Sequence, residues 1–85
     1  MSIPKQQISL FTDKQGQYLA YIYYYTKLNG VAPAHTDMQS YFQVTPPTVN
    51  QMIKTLEKKG LIQKQPRLAR SIQIIIPTNL LPELK

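Results

Sequence analysis

Residues 45–77, TPPTVNQMIKTLEKKGLIQKQPRLARSIQIIIP, constrain this chain more than any other stretch, because they spell in order a capped helix, a stop, a strand, a basic turn and a second strand. Val49, Met52, Ile53 and Leu56 recur at helical spacing and form one narrow apolar stripe. At about 100° per residue, Pro47, Gln51, Lys54 and Lys58 fall on the opposite side, flanked by Asn50 and Thr48. The spacing therefore predicts a helix over 45–59 with one face for a core and the other polar and basic. Thr45 before Pro46-Pro47 suits the start, since a hydroxyl can accept from an orphan backbone N–H and proline is tolerated where such donors are unpaired. Lys58 and Lys59 suit the negative end of the helix dipole, and Gly60 can take the left-handed conformation that ends it.

Beyond Gly60 come two β-prone segments, about 61–65 and 71–76, joined by the basic stretch Pro66-Arg67-Leu68-Ala69-Arg70. They predict an antiparallel hairpin with a turn of about five residues. Ile72, Ile74 and Ile76 alternate with Gln73 and Ile75, so one strand face is wholly apolar. Arg67 and Arg70 are expected at the tip or shoulder, where two long cations suit a phosphate backbone or a minor groove.

Charge agrees with that expectation. Of a net charge of +6, residues 43–76 contribute +5, because Lys54, Lys58, Lys59, Lys64, Arg67 and Arg70 are opposed by Glu57 alone. A localised basic surface favours polyanions through counterion release. A length of 85 residues is one small domain with a single modest core. The chain has no cysteine, which excludes disulfides, thiolate catalysis and thiolate metal sites. No stretch approaches the roughly 20 apolar residues of a membrane span, and the expected location is cytoplasmic, nucleoid-associated if the source is bacterial.

The first half reads as a scaffold. Thr12 to Gln15 fits a capping box and Gly30 marks the far end, which predicts a helix over 13–29. Leu19, Ile22, Tyr23 and Thr26 form a stripe expected to pack on the helix at 45–59, with Tyr18 and Tyr25 on its flank. Tyr21, Tyr24 and Leu28 occupy the reverse face, and a helix apolar nearly all round needs a second surface to bury against. A homodimer partner is the simplest candidate, with Leu80 and Leu81 of the C-terminal stretch as further members of the interface. Gly16, in the first turn, has no reason in the sequence. Between the two long helices, Met38 and Phe42 predict a helix over 35–42, and Thr36 to Gln39 spells a capping box that would start it later. Val44 is expected to enter the core. His35, the one histidine, lacks the neighbours of a metal or catalytic site and is expected at the surface, within reach of a phosphate.

On these residues the chain resembles the DNA-binding domain of LexA-type repressors. Thr12-Asp13-Lys14-Gln15 looks like that family's opening T-x-x-Q, Gly30 to Pro33 like its G-x-x-P loop, and Leu56 to Ile62 like its L-x-[RK]-K-G-[VLI]-I. Val44 to Val49 with Leu56 to Leu61 is also similar to MarR-type regulators. The resemblance covers 11–76 and implies an α+β winged helix-turn-helix of three helices, about 13–29, 35–42 and 45–59, plus a hairpin wing. Two departures stand out: the third helix is one residue shorter before its leucine, and Gln43 replaces the glycine that usually ends the second helix. The resemblance implies the DNA-binding half alone, without the self-cleaving peptidase domain and its Ser-Lys chemistry.

It further implies that the helix at 45–59 enters the major groove of duplex DNA by its N-terminal half. Thr45, Pro47, Thr48, Asn50, Gln51 and Lys54 are then the expected reading residues, with Lys54 and Lys58 towards phosphate. Amide side chains suit the paired donor and acceptor of adenine, and threonine or proline a thymine methyl. The expected organisation is an N-terminal arm at 1–11, the winged-helix domain at 12–77 and a C-terminal tail at 78–85. No cofactor, metal, membrane or small-molecule effector is expected. A protein-interaction module working through the tyrosine-rich helix is the alternative; left-handed Z-DNA readers share Asn50 and the Lys-Lys-Gly pattern, but Lys54 stands where they place a tyrosine. An enzyme is the least supported class, because no nucleophile–base pair, carboxylate pair or ligand cluster is visible.

Overall fold

The computed structural model of the protein describes residues 10–85, and most of the expected arm at 1–11 lies outside them. Helix α1 spans Asp13–Asn29, α2 spans His35–Phe42 and α3 spans Pro46–Lys58. Strands β1 (Ile62–Gln63) and β2 (Gln73–Ile74) follow, then a short 3₁₀ turn at Thr78–Leu80. Three helices and a two-stranded antiparallel hairpin make the expected α+β winged helix-turn-helix.

The local signals at the helix ends act largely as their chemistry dictates. Thr12 Oγ1 accepts from the Gln15 backbone N–H at 3.1 Å, and Gln15 Oε1 accepts from the Thr12 N–H at 3.0 Å, a complete capping box. Gly30 closes α1 in the left-handed region, φ 79°, its N–H reaching the Thr26 carbonyl. At the end of α3, Gly60 has φ 77°, its N–H bonds Glu57 O and the Leu61 N–H bonds Leu56 O. Those two bonds are the Schellman pair, and Leu61 and Leu56 meet in the core as that motif favours.

Two caps differ from expectation. Thr45 is the N-cap of α3, but its hydroxyl lies 3.0 Å from the Thr48 hydroxyl instead of capping a backbone N–H. Pro46 and Pro47 carry no N–H, so this helix start has fewer orphan donors to satisfy. The capping box at Thr36 to Gln39 does not form. Ala34 is the N-cap, and the Asp37 carboxylate accepts the Ala34 N–H at 2.8 Å, which starts α2 at His35.

The core holds Tyr18, Leu19 and Ile22 of α1, Ala32, Met38 of α2, Val49, Ile53 and Leu56 of α3, and Leu61, Ile62 and Ile72 of the hairpin. Helices α2 and α3 pack on each other, α3 on β1 and α1 on β2. Tyr18, expected on the flank, is fully buried and stacks on Phe42 at 4.0 Å between ring centres. Tyr23 and Thr26, expected against α3, instead line a groove beside Ile72, Gln73 and Ile74, because the hairpin occupies that side of α1. Val44 is half-buried against the core, as expected.

The strands are shorter than the expected 61–65 and 71–76. Ile62 pairs with Ile74 and Gln63 with Gln73, and in the turn between the strands Arg67 and Arg70 adopt φ of 64° and 57°. Ser71 takes over the closure, its hydroxyl accepting from the Gln65 N–H at 3.0 Å and donating to the Gln65 carbonyl at 3.2 Å. The alternation of the second strand survives, with Ile72 buried, Ile74 and Ile76 half-buried and Ile75 exposed.

Tertiary packing also explains Gly16. A Cβ there would lie 3.0 Å from both the Phe11 ring and Pro82, so the missing side chain lets Phe11 and Pro82 close over α1. Gln17 holds the last residues in place: its Nε2 donates to the Glu83 carbonyl at 2.9 Å and its Oε1 accepts the Lys85 N–H at 2.8 Å.

Gln43 ends α2 at φ 55°, with the Val44 N–H on the Gln39 carbonyl. A side chain at such a φ costs about 1–2 kcal/mol, partly offset by the greater unfolded-state freedom of glycine. Gln43→Gly is therefore expected to raise stability by roughly 0.5–1 kcal/mol, measured as a higher urea midpoint, whereas Gln43→Val should lower it.

Candidate nucleic-acid interface

Burial of Val49, Ile53 and Leu56 decides which way α3 turns. With that stripe inward, Pro47, Gln51, Lys54 and Lys58 form an exposed ridge on the far side. Thr48 and Thr55 flank it towards Gln15 of α1, sharing a shallow hollow with Pro47 and Gln51. Asn50 flanks it towards α2, where its Oδ1 lies 2.9 Å from His35 Nδ1. Thr45 is exposed at the head of the ridge. Lys59, beyond the helix, donates from Nζ to Gln15 Oε1 at 2.8 Å and ties the end of α3 to the start of α1.

The hairpin tip presents Arg67 to solvent on a turn closed by the Leu68 N–H to the Gln65 carbonyl. Proline followed by a residue of positive φ is the signature of a type II turn, here Pro66-Arg67. Arg70 behaves differently. Its Nη1 lies 3.1 Å from Asp37 Oδ2, 3.1 Å from the Tyr25 hydroxyl and 3.3 Å from the Ala32 carbonyl. One nitrogen with two hydrogens shared among three acceptors latches the wing onto α1, the loop after it and α2. This role was not legible, because the partners stand more than 30 positions away, at separations of 33, 38 and 45.

Asp37 has two tasks. Its carboxyl is held below the usual carboxylate range chiefly by the Ala34 N–H and then by the Arg70 charge, against an opposing push from burial. The helix start and the wing latch therefore share one carboxylate.

Of the residues expected at a homodimer interface, Tyr24, Leu28 and Leu80 are exposed at 39%, 83% and 45%. Tyr21 and Leu81 are instead half-buried within the chain. Tyr21 stacks on Tyr41 at 4.5 Å and meets Phe42 edge-on.

Comparison with known proteins accounts for this geometry. Residues 10–69 match the model of the iron dependent repressor, N-terminal DNA binding domain. The chain belongs to this family. The LexA repressor of Thermosipho melanesiensis is 36% identical over 64 residues, covering 75% of this chain and 32% of that protein. That of Thermosipho africanus is 34% identical over the same length, with the same coverage. The chain thus spans about a third of the length of these curated relatives. Its place is that of a DNA-binding domain of a transcriptional repressor family.

The residues present do not fit the iron of the family's description. Among the described residues no group of three or more His, Cys, Asp or Glu side chains comes together. His35 Nδ1 is engaged by Asn50, and Asp37 by Ala34 and Arg70. No described helix is long and apolar enough to cross a membrane.

The depressed Asp37 pKa sets a pH dependence. A carboxyl whose pKa is lower folded than unfolded contributes stability that is fully present above the unfolded value, roughly pH 4, and is lost as pH falls through the folded value. Urea titrations between neutral pH and pH 2 should show that loss in the wild type. Asp37→Asn should flatten this part of the profile and lower stability at neutral pH.

Proposed function

We propose that this domain binds duplex DNA sequence-specifically, with α3 in the major groove and the wing at 66–70 against the backbone or minor groove. The observation that carries this reading is the α3 ridge: Pro47, Gln51, Lys54 and Lys58 stand exposed while the opposite stripe is buried in the core. The family match and the net charge of +6 support it from independent directions.

In this reading Pro47, Thr48 and Thr45 offer apolar carbon to thymine methyls, and Gln51 offers a paired donor and acceptor to adenine. Lys54, Lys58 and Arg67 meet phosphates, which position the domain without selecting sequence. Arg70 keeps the wing in place through Nη1, and its remaining N–H groups are left to donate to the same backbone. Two copies on a two-half-site operator would pair through Tyr24, Leu28 and Leu80, the exposed members of the apolar face.

Binding to a selected duplex should weaken steeply with salt. Lys58→Ala and Arg67→Ala should each reduce the slope of log K against log salt by about 0.9 while leaving base preference unchanged. Gln51→Ala should relax preference at one base pair at a cost of about 1–3 kcal/mol. Unaltered slope and preference in all three variants would overturn the proposed surface. Sedimentation tests the pairing: the wild type should dimerise at micromolar concentration and Tyr24→Asp with Leu28→Asp should not, and a monomeric wild type would reject it.

A further inference from the structure

The contact between His35 and Asn50 links the first residue of α2 to the flank of the recognition ridge, 15 positions away. The imidazole is half-buried, seated between the start of α2 and the wing beside Pro33, Ala34, Lys64 and Leu68. A free asparagine amide turns over readily, presenting either its carbonyl or its NH₂ to a base edge. Here Oδ1 is turned to the ring at 2.9 Å, a placement in which the Nδ1–H tautomer of the imidazole donates to it. With its oxygen engaged by α2, the amide is left with its NH₂, which has no hydrogen-bond partner among the described residues.

The geometry points to His35 as a positioning residue that sets which base Asn50 reads. This inference rests on the DNA-binding reading above and goes beyond it. That NH₂ offers donors alone. In the major groove guanine presents two adjacent acceptors, N7 and O6, whereas adenine presents an acceptor beside a donor and needs the amide oxygen as well. Asn50 pinned in this way selects guanine. Gln51, with no side-chain partner among the described residues, keeps both of its amide atoms for adenine. His35 would touch no base itself, and its effect would be confined to the base pair under Asn50.

The test is a selection from random duplexes with the wild type, Asn50→Ala, His35→Ala and His35→Asn, the last retaining an N–H donor near the place of Nδ1. Asn50→Ala marks the base pair concerned. The wild type should prefer guanine there. His35→Ala should lose about tenfold of that preference, the order of one specific contact, with the other positions and the salt slope unchanged, and His35→Asn should recover much of it. In the DNA-free protein, His35→Ala should shift the Asn50 side-chain amide resonances while the backbone amides of α1 stay in place. Adenine at the marked position, an unchanged preference in His35→Ala, or an equal loss of affinity for every sequence would overturn the inference while leaving the DNA reading intact. No sequence preference in the wild type would overturn both.

Discussion

Helix α3 must bury Val49, Ile53 and Leu56 and leave Pro47, Gln51, Lys54 and Lys58 in water. A small domain has one core, and the helix has one apolar stripe to offer it, so its rotation about its own axis has a single favourable setting. Every other element serves that setting. Helix α2 and β1 pack against α3, α1 closes the core from the side of β2, and the Schellman turn at Gly60 sends the chain into the hairpin at a defined angle. Truncating Ile53 or Leu56 would remove the reference that orients the ridge as well as core packing worth about 2–5 kcal/mol.

Three polar links then place surface groups relative to that core. Lys59 on Gln15 holds the end of α3, Arg70 on Asp37, Tyr25 and Ala32 holds the wing, and His35 holds Asn50. Each uses a side chain that would otherwise be free to wander, and ordering it within the folded domain lowers the entropy lost when a partner binds. The same economy has a consequence for recognition, since a group bonded internally presents fewer atoms outward. Arg70 spends Nη1 on three internal acceptors, and Asn50 spends Oδ1 on His35.

Much of the fold was legible because its determinants are local. Thr12, Gly30 and Gly60 act through neighbours within a few positions, and the stripes of α2 and α3 follow from helical period alone. Where reading failed, a distant residue intervened. Tyr18 and Tyr21 both looked peripheral to the stripe of α1, yet α2 brings Phe42 and Tyr41 against them. Gly16, costly in a helix, is explained by Phe11 and Pro82 closing over it. The strands proved shorter than expected, and in the turn between them Arg67 and Arg70 adopt left-handed conformations that nothing in the spelling of an arginine announces. Of the candidate site, the outward face of α3 was readable from its period, but the separate tasks of Arg67 and Arg70 were not.

The amino-acid sequence by itself determined the order of elements, the turn of α3 towards the core and the concentration of most net positive charge in residues 43–76, since periodicity, caps and composition act over a few residues. Tertiary structure alone decided which polar groups remain free at the surface. A hydrogen bond between His35 and Asn50, or between Arg70 and Asp37, depends on two segments meeting within about 3 Å in space. Local periodicity carries no information about such a meeting.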